Sequence, residues 1–318
     1  MVDPLVVIVG PTAVGKTALS LRLAQAIHAE IVNIDSRQMY RYMDIGTAKP
    51  TPSQQAEVPH HLLDVLMPDQ SSNAAQCAAL ARQAIDDIRR RGQRTVIVSG
   101  SGLYLQALLY GLMPVPSANG PLRAELSAYA DRHGNPALHA LLQRADPIAA
   151  ATCHVHDRVR VVRALEVTYL TGVPYSEHRS RHRTHEPLYP YMGIALTRDR
   201  AELYARIGER TDAMLAAGWL AEAEMLVAHG YTETCAAMNS LGYRELLGYL
   251  AGRTVWQETV DAIKQATRRF AKRQLTWFSK LPNLSWYNFT RVDESAVVAK
   301  VVDTLCNGVD MQVEARSL

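Results

Sequence analysis

The sequence predicts an α/β fold: a P-loop-type parallel sheet with helices on both faces, plus an all-helical insertion domain. Three observations predict it. A β-branched run over residues 5–9 leads straight into the segment Gly10-Pro11-Thr12-Ala13-Val14-Gly15-Lys16-Thr17. Apolar strand-like runs then alternate with helical periodicity as far as residue 98, the pattern of a parallel sheet covered by helices. Between about 114 and 190 that alternation stops, and only helical periodicity remains.

In chain order, residues 5–9 read as a buried parallel strand, continuous in Leu, Val and Ile. Leu19, Leu23, Ala24 and Ile27 recur at helical spacing, so residues 16–28 are expected to be a helix. A second strand over 30–34 ends at Asp35, a helix covers about 73–91, and a third strand over 95–98 ends at Ser99-Gly100. Pro114, Pro116 and Gly120-Pro121 then break the pattern. Residues 191–196 read as a strand returning to the sheet, followed by helices over 200–217, 220–229 and 259–280 and a last strand over 284–288. The expected division is therefore 1–113 with 191–318 as the core and 114–190 as the insertion. In such sheets chemistry sits at the carboxyl ends of the strands, so Gly10, Asp35 and Ser99-Gly100-Ser101 should share one edge.

Composition sets the class. A chain of 318 residues suits one large domain with an insertion, or two domains, and 48% hydrophobic residues leave ample material for a core. The net charge of +3 neither requires nor excludes nucleic acid. Four dispersed cysteines with no C-x-x-C pair fit a reducing compartment, and no run is long enough to span a membrane. A cytoplasmic monomer that does not enter membranes is the expectation.

Residues 10–17 satisfy G-x-x-x-x-G-K-[ST] between a strand and a helix, the context that motif requires. Its glycines let the backbone wrap a phosphate, the helix aims its positive end at the anion, Lys16 adds a charge, and the Thr17 hydroxyl suits Mg²⁺. An ATPase normally ends a strand in a carboxylate that positions Mg²⁺ and water, whereas the strand here ends Val98-Ser99-Gly100. Asp35 could stand in for it, but the pattern favours chemistry other than hydrolysis. Asp35 itself has two readings, cap of a following helix or general base for an incoming amine. Gln38 carries the paired donor and acceptor that read a base edge.

Together with Asp35-Ser36-Arg37-Gln38-Met39-Tyr40, the P-loop makes the chain resemble the tRNA dimethylallyltransferases, also called tRNA isopentenyltransferases. The likeness continues through His60-His61-Leu62-Leu63-Asp64 and Ser99-Gly100-Ser101-Gly102-Leu103-Tyr104. It extends to the segment from Asp157 to Glu166, to Leu241-Gly242-Tyr243-Arg244-Glu245, and to Ala271-Lys272-Arg273-Gln274-Leu275-Thr276-Trp277. The resemblance implies transfer of a dimethylallyl group from its diphosphate to N6 of an adenosine beside the anticodon of tRNA. The loop from Gly10 to Thr17 would grip the leaving diphosphate, with Mg²⁺ and Lys16 offsetting its charge. Asp35 would take the amine proton, and Ser101 would contact the target nucleotide or the diphosphate. Where the family usually shows Gly-Gly-Thr-Gly-Leu-Tyr, this chain has Ser99 and Ser101. Arg123 matches a family position that reaches into the active site, where its planar fork would suit a diphosphate.

The resemblance also places Asp35, Ser36, Arg37, Gln38, Ser101 and Arg123 against tRNA. Further contacts are expected from Gly242, Tyr243 and Arg244, with Tyr243 offering a stacking surface for an unpaired base. Over 261–280, Lys264, Arg268 and Lys272 lie four apart beside Arg269 and Arg273, while Ile263, Phe270 and Trp277 are expected to mark the buried side. The basic stripe, including Lys272 and Arg273, suits a phosphate backbone but is equally the pattern of a solvated face. Arg158, Arg160 and Arg163 repeat the theme in the insertion, with Val159, Val162 and Leu165 expected inward. The insertion holds seven of the eleven histidines, but neither Cys153, His154 and His156 nor His178, His182 and His185 has zinc-finger spacing. Rival readings are an enzyme that prenylates free adenine nucleotide, a nucleotide kinase, and an RNA-binding switch protein with little turnover.

Overall fold

The computed structural model describes residues 3–182 and 186–307 of the chain, so Arg183 and His185 of the insertion lie outside the described residues. Contacts divide it into two compact units, one formed by Tyr110–Pro187 and the other by the rest of the described chain.

The larger unit is organised by one parallel sheet. Its strands are β1 (Leu5–Val9), β2 (Ala29–Ile34), β3 (His60–His61), β4 (Arg94–Ser99), β5 (Tyr191–Thr197) and β6 (Leu284–Asn288), in the order β3-β2-β4-β1-β5-β6. Every residue of β1 and β2 is buried, as strands covered on both faces must be. Register decides where the site falls. Val9 pairs with Ser99, and Ser99 pairs in turn with Ile34, so β1, β4 and β2 end side by side. Gly10, Gly100 and Asp35 therefore leave the sheet at the same edge.

Helices of this unit before the insertion are α1 (Lys16–Ile27), α2 (Pro52–Glu57), α3 (Ala74–Arg90) and α4 (Gly102–Tyr110). The insertion contributes α5 (Gly120–His133), α6 (Asn135–Ala145), α7 (Pro147–Thr152), α8 (Arg158–Thr171) and α9 (Tyr175–His182). After it come α10 (Arg200–Ala216), α11 (Trp219–Ala228), α12 (Tyr243–Leu250), α13 (Trp256–Phe278) and α14 (Glu294–Asn307). No helix among the described residues is long and apolar enough to cross a membrane. The core of the larger unit packs Leu19, Leu23 and Ile27 of α1 against Val6 and Ile8 and against Leu203 and Ile207 of α10. Strand β3 and helices α2, α4, α12 and α14 are additions to the elements read from periodicity. A two-residue strand has no period to detect, and α4, apolar nearly all round, shows no polar face.

The insertion unit has its own core, in which Leu126, Leu138 and Leu142 meet Val161, Val162 and Leu165. Val159 corrects the expected inward face of α8: it is 81% exposed, and Val161, one residue beyond Arg160, is buried in its place. Beneath α8, the Glu166 side chain is fully buried and accepts from both Arg123 Nε (2.8 Å) and Arg123 Nη2 (2.9 Å). It also pairs with Arg163 and accepts from the Asn119 amide at 2.6 Å. Burial alone would raise its carboxyl, but the hydrogen bonds from Arg123, Arg163 and Asn119 outweigh that and hold it at about 2. Glu166→Ala is therefore expected to destabilise this unit by about 3 kcal/mol, because two arginines lose their buried counter-charge. Hydrogen exchange of the α5 and α8 amides would report the loss. In the wild type the contribution of Glu166 should be lost only as pH falls below the ordinary glutamate range toward 2.

Candidate active site

The phosphate loop turns on residues in left-handed backbone conformations, with φ of 152° at Gly10, 64° at Ala13 and 118° at Gly15. A Cβ on Gly10 would stand 2.8 Å from Leu196 O of β5, so neither the angle nor the space admits a side chain. Lys16 begins α1 and folds back over the loop, donating from Nζ to Gly10 O and Pro11 O at 2.9 Å each. Burial pushes its ammonium down to about 7, the charge of Arg210 pushes the same way, and Asp35 only partly offsets them. Thr17, one residue on, lines the same cavity as Lys16.

Across the edge, Asp35 uses one oxygen for the backbone. Oδ1 accepts from Arg37 N at 2.8 Å and from Gln38 N at 3.3 Å, capping a turn where no helix follows. Asp35 thus caps a turn and not the helix its first reading expected, while its other oxygen, Oδ2, lies toward Gly100. A Cβ at Gly100 would lie 3.3 Å from Asp35 Oδ2, 3.0 Å from Gln274 Nε2 and 3.9 Å from Lys16 Nζ. Three polar groups from β2, α13 and the loop converge where that glycine has no side chain.

Two serines hold Asp35 from both flanks. Ser99 Oγ donates to Ile34 O at 2.9 Å and accepts from Ser101 N at 3.1 Å. Ser101 Oγ accepts from Ser36 N at 3.1 Å. Ser99, an added side chain at a family glycine, thus points into the sheet and ties β4 to β2 rather than obstructing the cavity. Gln38 is narrower in what it can read than expected. Its amide donates to Thr47 O and Ala48 O at 3.2 and 3.0 Å, so only its oxygen remains to meet a substrate donor. Arg37 reaches Ala236 O at 3.3 Å.

These groups line a cavity of about 1210 Å³, and all its lining residues belong to the larger unit. Sequence reasoning missed three contributors. Arg206 and Arg210 come from α10, one turn apart, and make this wall cationic. Gln274 Oε1 accepts from Thr12 N at 2.8 Å while its Nε2 donates to Gly100 O at 2.8 Å, bridging the phosphate loop to the end of β4. Gln274 stood inside the Lys272-Arg273 block, where charge drew attention away from it.

The turn over 44–46 at the cavity rim is held by Glu222 of α11. Its carboxylate accepts from the amides of Asp44 and Ile45 at 2.8 Å, of Gly46 at 3.0 Å, and from the Tyr243 hydroxyl at 2.6 Å. Glu222→Ala leaves four donors without their acceptor and is expected to cost about 3 kcal/mol in urea unfolding. Tyr243 is corrected by the same contacts: it is fully buried, with Trp219 edge-on at 5.7 Å, and cannot stack on a base from there. Gly242 is buried beneath Trp219 as well, leaving Arg244, paired with Glu245, as the exposed member of that block.

Helix α13 also corrects its expected faces. Ile263, Ala271, Gln274 and Phe278 are buried, whereas Phe270 is 37% exposed and lines the cavity with Trp277. Lys264 pairs with Asp212 and Arg268 lies over Tyr204, Arg273 lies over Phe270 and lines the cavity with it, and Lys272 is exposed. In the insertion, Arg158 pairs with Asp131, Arg160 with Asp157 and Arg163 with Glu166. The Arg123 fork, expected on a diphosphate, is likewise occupied by Glu166. Among the described residues no cluster of three or more His, Cys, Asp or Glu side chains could hold a metal.

A glycine-rich loop of P-loop sequence, a carboxylate and a cationic wall around a cavity at the carboxyl edge of a parallel sheet define a P-loop-type α/β protein. The model of the IPP transferase family matches residues 38–281, and that of the isopentenyl transferases matches residues 4–71. A tRNA dimethylallyltransferase of Symbiobacterium thermophilum is 50% identical over 289 residues, 90% of either chain. One from Syntrophotalea carbinolica is 44% identical over 95% of both. The crystal structure of the tRNA isopentenylpyrophosphate transferase of Bacillus halodurans matches with a TM-score of 0.71 at 38% identity, covering 96% of each chain. The chain belongs to the IPP transferase family, whose named relatives here are tRNA dimethylallyltransferases.

Proposed function

We propose that this enzyme transfers a dimethylallyl group from dimethylallyl diphosphate to N6 of an adenosine next to the anticodon of tRNA, releasing diphosphate. The observation that carries the reading is the approach of Asp35 Oδ2 and Lys16 Nζ to the side-chain position that Gly100 leaves empty. Breaking the allylic C–O bond puts negative charge on the diphosphate, and Lys16, Arg210 and the loop amides, which line one cavity, would receive it. As N6 bonds to the allyl carbon, its proton goes to Asp35. Adenine amines are poor nucleophiles, so holding Asp35 still through Ser99 and Ser101 contributes as much as its basicity. The adenine must leave its stack to enter the cavity, where Phe270 and Trp277 offer apolar surface.

The residues present fit Mg²⁺. Thr17 supplies a hydroxyl oxygen in the cavity, and a small hard cation that keeps water and substrate oxygens needs few protein ligands. Bound there with the diphosphate, Mg²⁺ would supply further neutralisation of the leaving group. Lys272, Arg244 and the exposed arginines of the insertion are the groups proposed to meet the tRNA backbone. Because Arg158, Arg160, Arg163 and Arg123 are already ion-paired, tRNA would meet them as neutralised pairs unless it displaces a carboxylate.

The test is incubation with an unmodified anticodon stem-loop and labelled dimethylallyl diphosphate, with AMP and ATP as competitors. Label on the stem-loop supports the reading. Label on AMP alone would overturn it in favour of a free-nucleotide prenyltransferase, and γ-phosphate transfer from ATP would favour a kinase.

A further inference from the structure

A peptide group points its N–H and its C=O in opposite directions, so a loop that turns its amides toward an anion turns its carbonyls away from it. Such outward carbonyls need donors wherever water is excluded. Two of them are met by arginines, Arg198 just before α10 and Arg206 within it. Arg206 Nε donates to Ala13 O and Arg198 Nε to Val14 O, both at 3.0 Å. Each carbonyl shares its peptide with the next amide, so these bonds orient the N–H groups of Val14 and Gly15. The loop needs that hold here, because Ala13 sits at φ 64°, a region that residues with side chains rarely adopt.

Arg206 lines the cavity and would meet substrate directly; Arg198 does not line it. Arg198 is instead fixed from behind. Its Nη1 donates to Phe289 O at 3.0 Å and pairs with Glu202, its guanidinium lies 5.6 Å from the Phe289 ring centre, and its side chain is 14% exposed. One planar fork thus joins the phosphate loop, the chain beyond β6 and the first turn of α10.

We propose that Arg198 is a positioning residue for diphosphate binding: by clamping Val14 O it aims the Gly15 amide into the cavity. The proposal rests on reading residues 10–17 as the diphosphate site. A lysine would keep the charge but could not span three acceptors from one plane, so Arg198→Lys separates geometry from electrostatics.

Inorganic diphosphate titrated calorimetrically into the full-length protein reads the effect, together with separate KM values for the prenyl donor and the stem-loop. Arg198→Gln and Arg198→Lys are each expected to weaken diphosphate on the order of tenfold and to raise the donor KM alike, with the stem-loop KM unchanged. Wild-type affinity in Arg198→Lys would overturn the proposal, as would an equal rise in both KM values, the mark of general loosening. If Arg198→Gln does not fold, Arg198→Lys decides alone. Lys16→Ala is the control for the underlying reading. A wild-type protein that takes up no diphosphate, or takes it up equally well without Lys16, refutes the site itself, an outcome distinct from failure of the brace.

Discussion

Asp35→Asn is expected to lower single-turnover transfer to the stem-loop by about 10²–10⁴-fold while stem-loop affinity changes by no more than about threefold. The substitution is chosen because asparagine keeps what Asp35 does for the backbone. Its side-chain oxygen can still accept from Arg37 N and Gln38 N, so the turn that carries Ser36 and Gln38 survives. What it loses is the second oxygen beside Gly100, the one proposed to take a proton. If turnover persists and stem-loop affinity drops instead, Asp35 is a turn residue and the base lies elsewhere. Ser99→Ala offers a graded companion. It removes the bond to Ile34 O without touching the carboxylate, so turnover should fall less than in Asp35→Asn.

The parts of this site readable in the sequence are those coded by local spacing. The loop from Gly10 to Thr17 advertises itself because wrapping a phosphate needs glycines and a lysine at set intervals within eight residues. Asp35 stood out as a carboxylate at a strand end, and the sheet register then places it beside the loop. Arg210 and Gln274 had no such signal, for they enter the cavity from helices some 200 residues and more beyond the loop, and only the fold brings them there.

Helical spacing also left open which face is buried. Ile263, Phe270 and Trp277 share a seven-residue interval, but seven residues fall about 20° short of two turns, so the stripe drifts off the core. Phe270 and Trp277 consequently line the cavity while Ala271, Gln274 and Phe278 pack inward. In α8 the arginines at 158, 160 and 163 alternate with valines too evenly to show whether Val159 or Val161 is inside. Leu165 and Thr168, four and seven residues beyond Val161, are buried on its face, so Val161 is inside, and Val159 stays exposed at the first turn of the helix. Tyr243 failed for a related reason: an aromatic beside an arginine resembles a stacking platform until its hydroxyl is found on Glu222.

Lys16→Met is expected to weaken inorganic diphosphate by on the order of 10³-fold near pH 6, and by much less at pH 9. The narrowing follows from the state of the free site. With no anion present, burial and Arg210 hold the Lys16 ammonium at about 7, far below an ordinary lysine. A bound diphosphate raises that value again, so binding above pH 7 must be accompanied by proton uptake. The contribution of Lys16 is complete below 7 and is lost as pH rises through the free-site value, about tenfold for each unit. Between pH 6 and pH 9 the gap between wild type and Lys16→Met should therefore shrink by about a hundredfold. Comparing the two proteins cancels the titration of diphosphate itself, which both experience equally. Calorimetry in two buffers of different ionisation enthalpy should detect close to one proton taken up by the wild type at pH 8 and correspondingly fewer by Lys16→Met. A gap that stays constant from pH 6 to pH 9 would mean that Lys16 is charged throughout, and that the cavity is wetter around Nζ than its packing indicates.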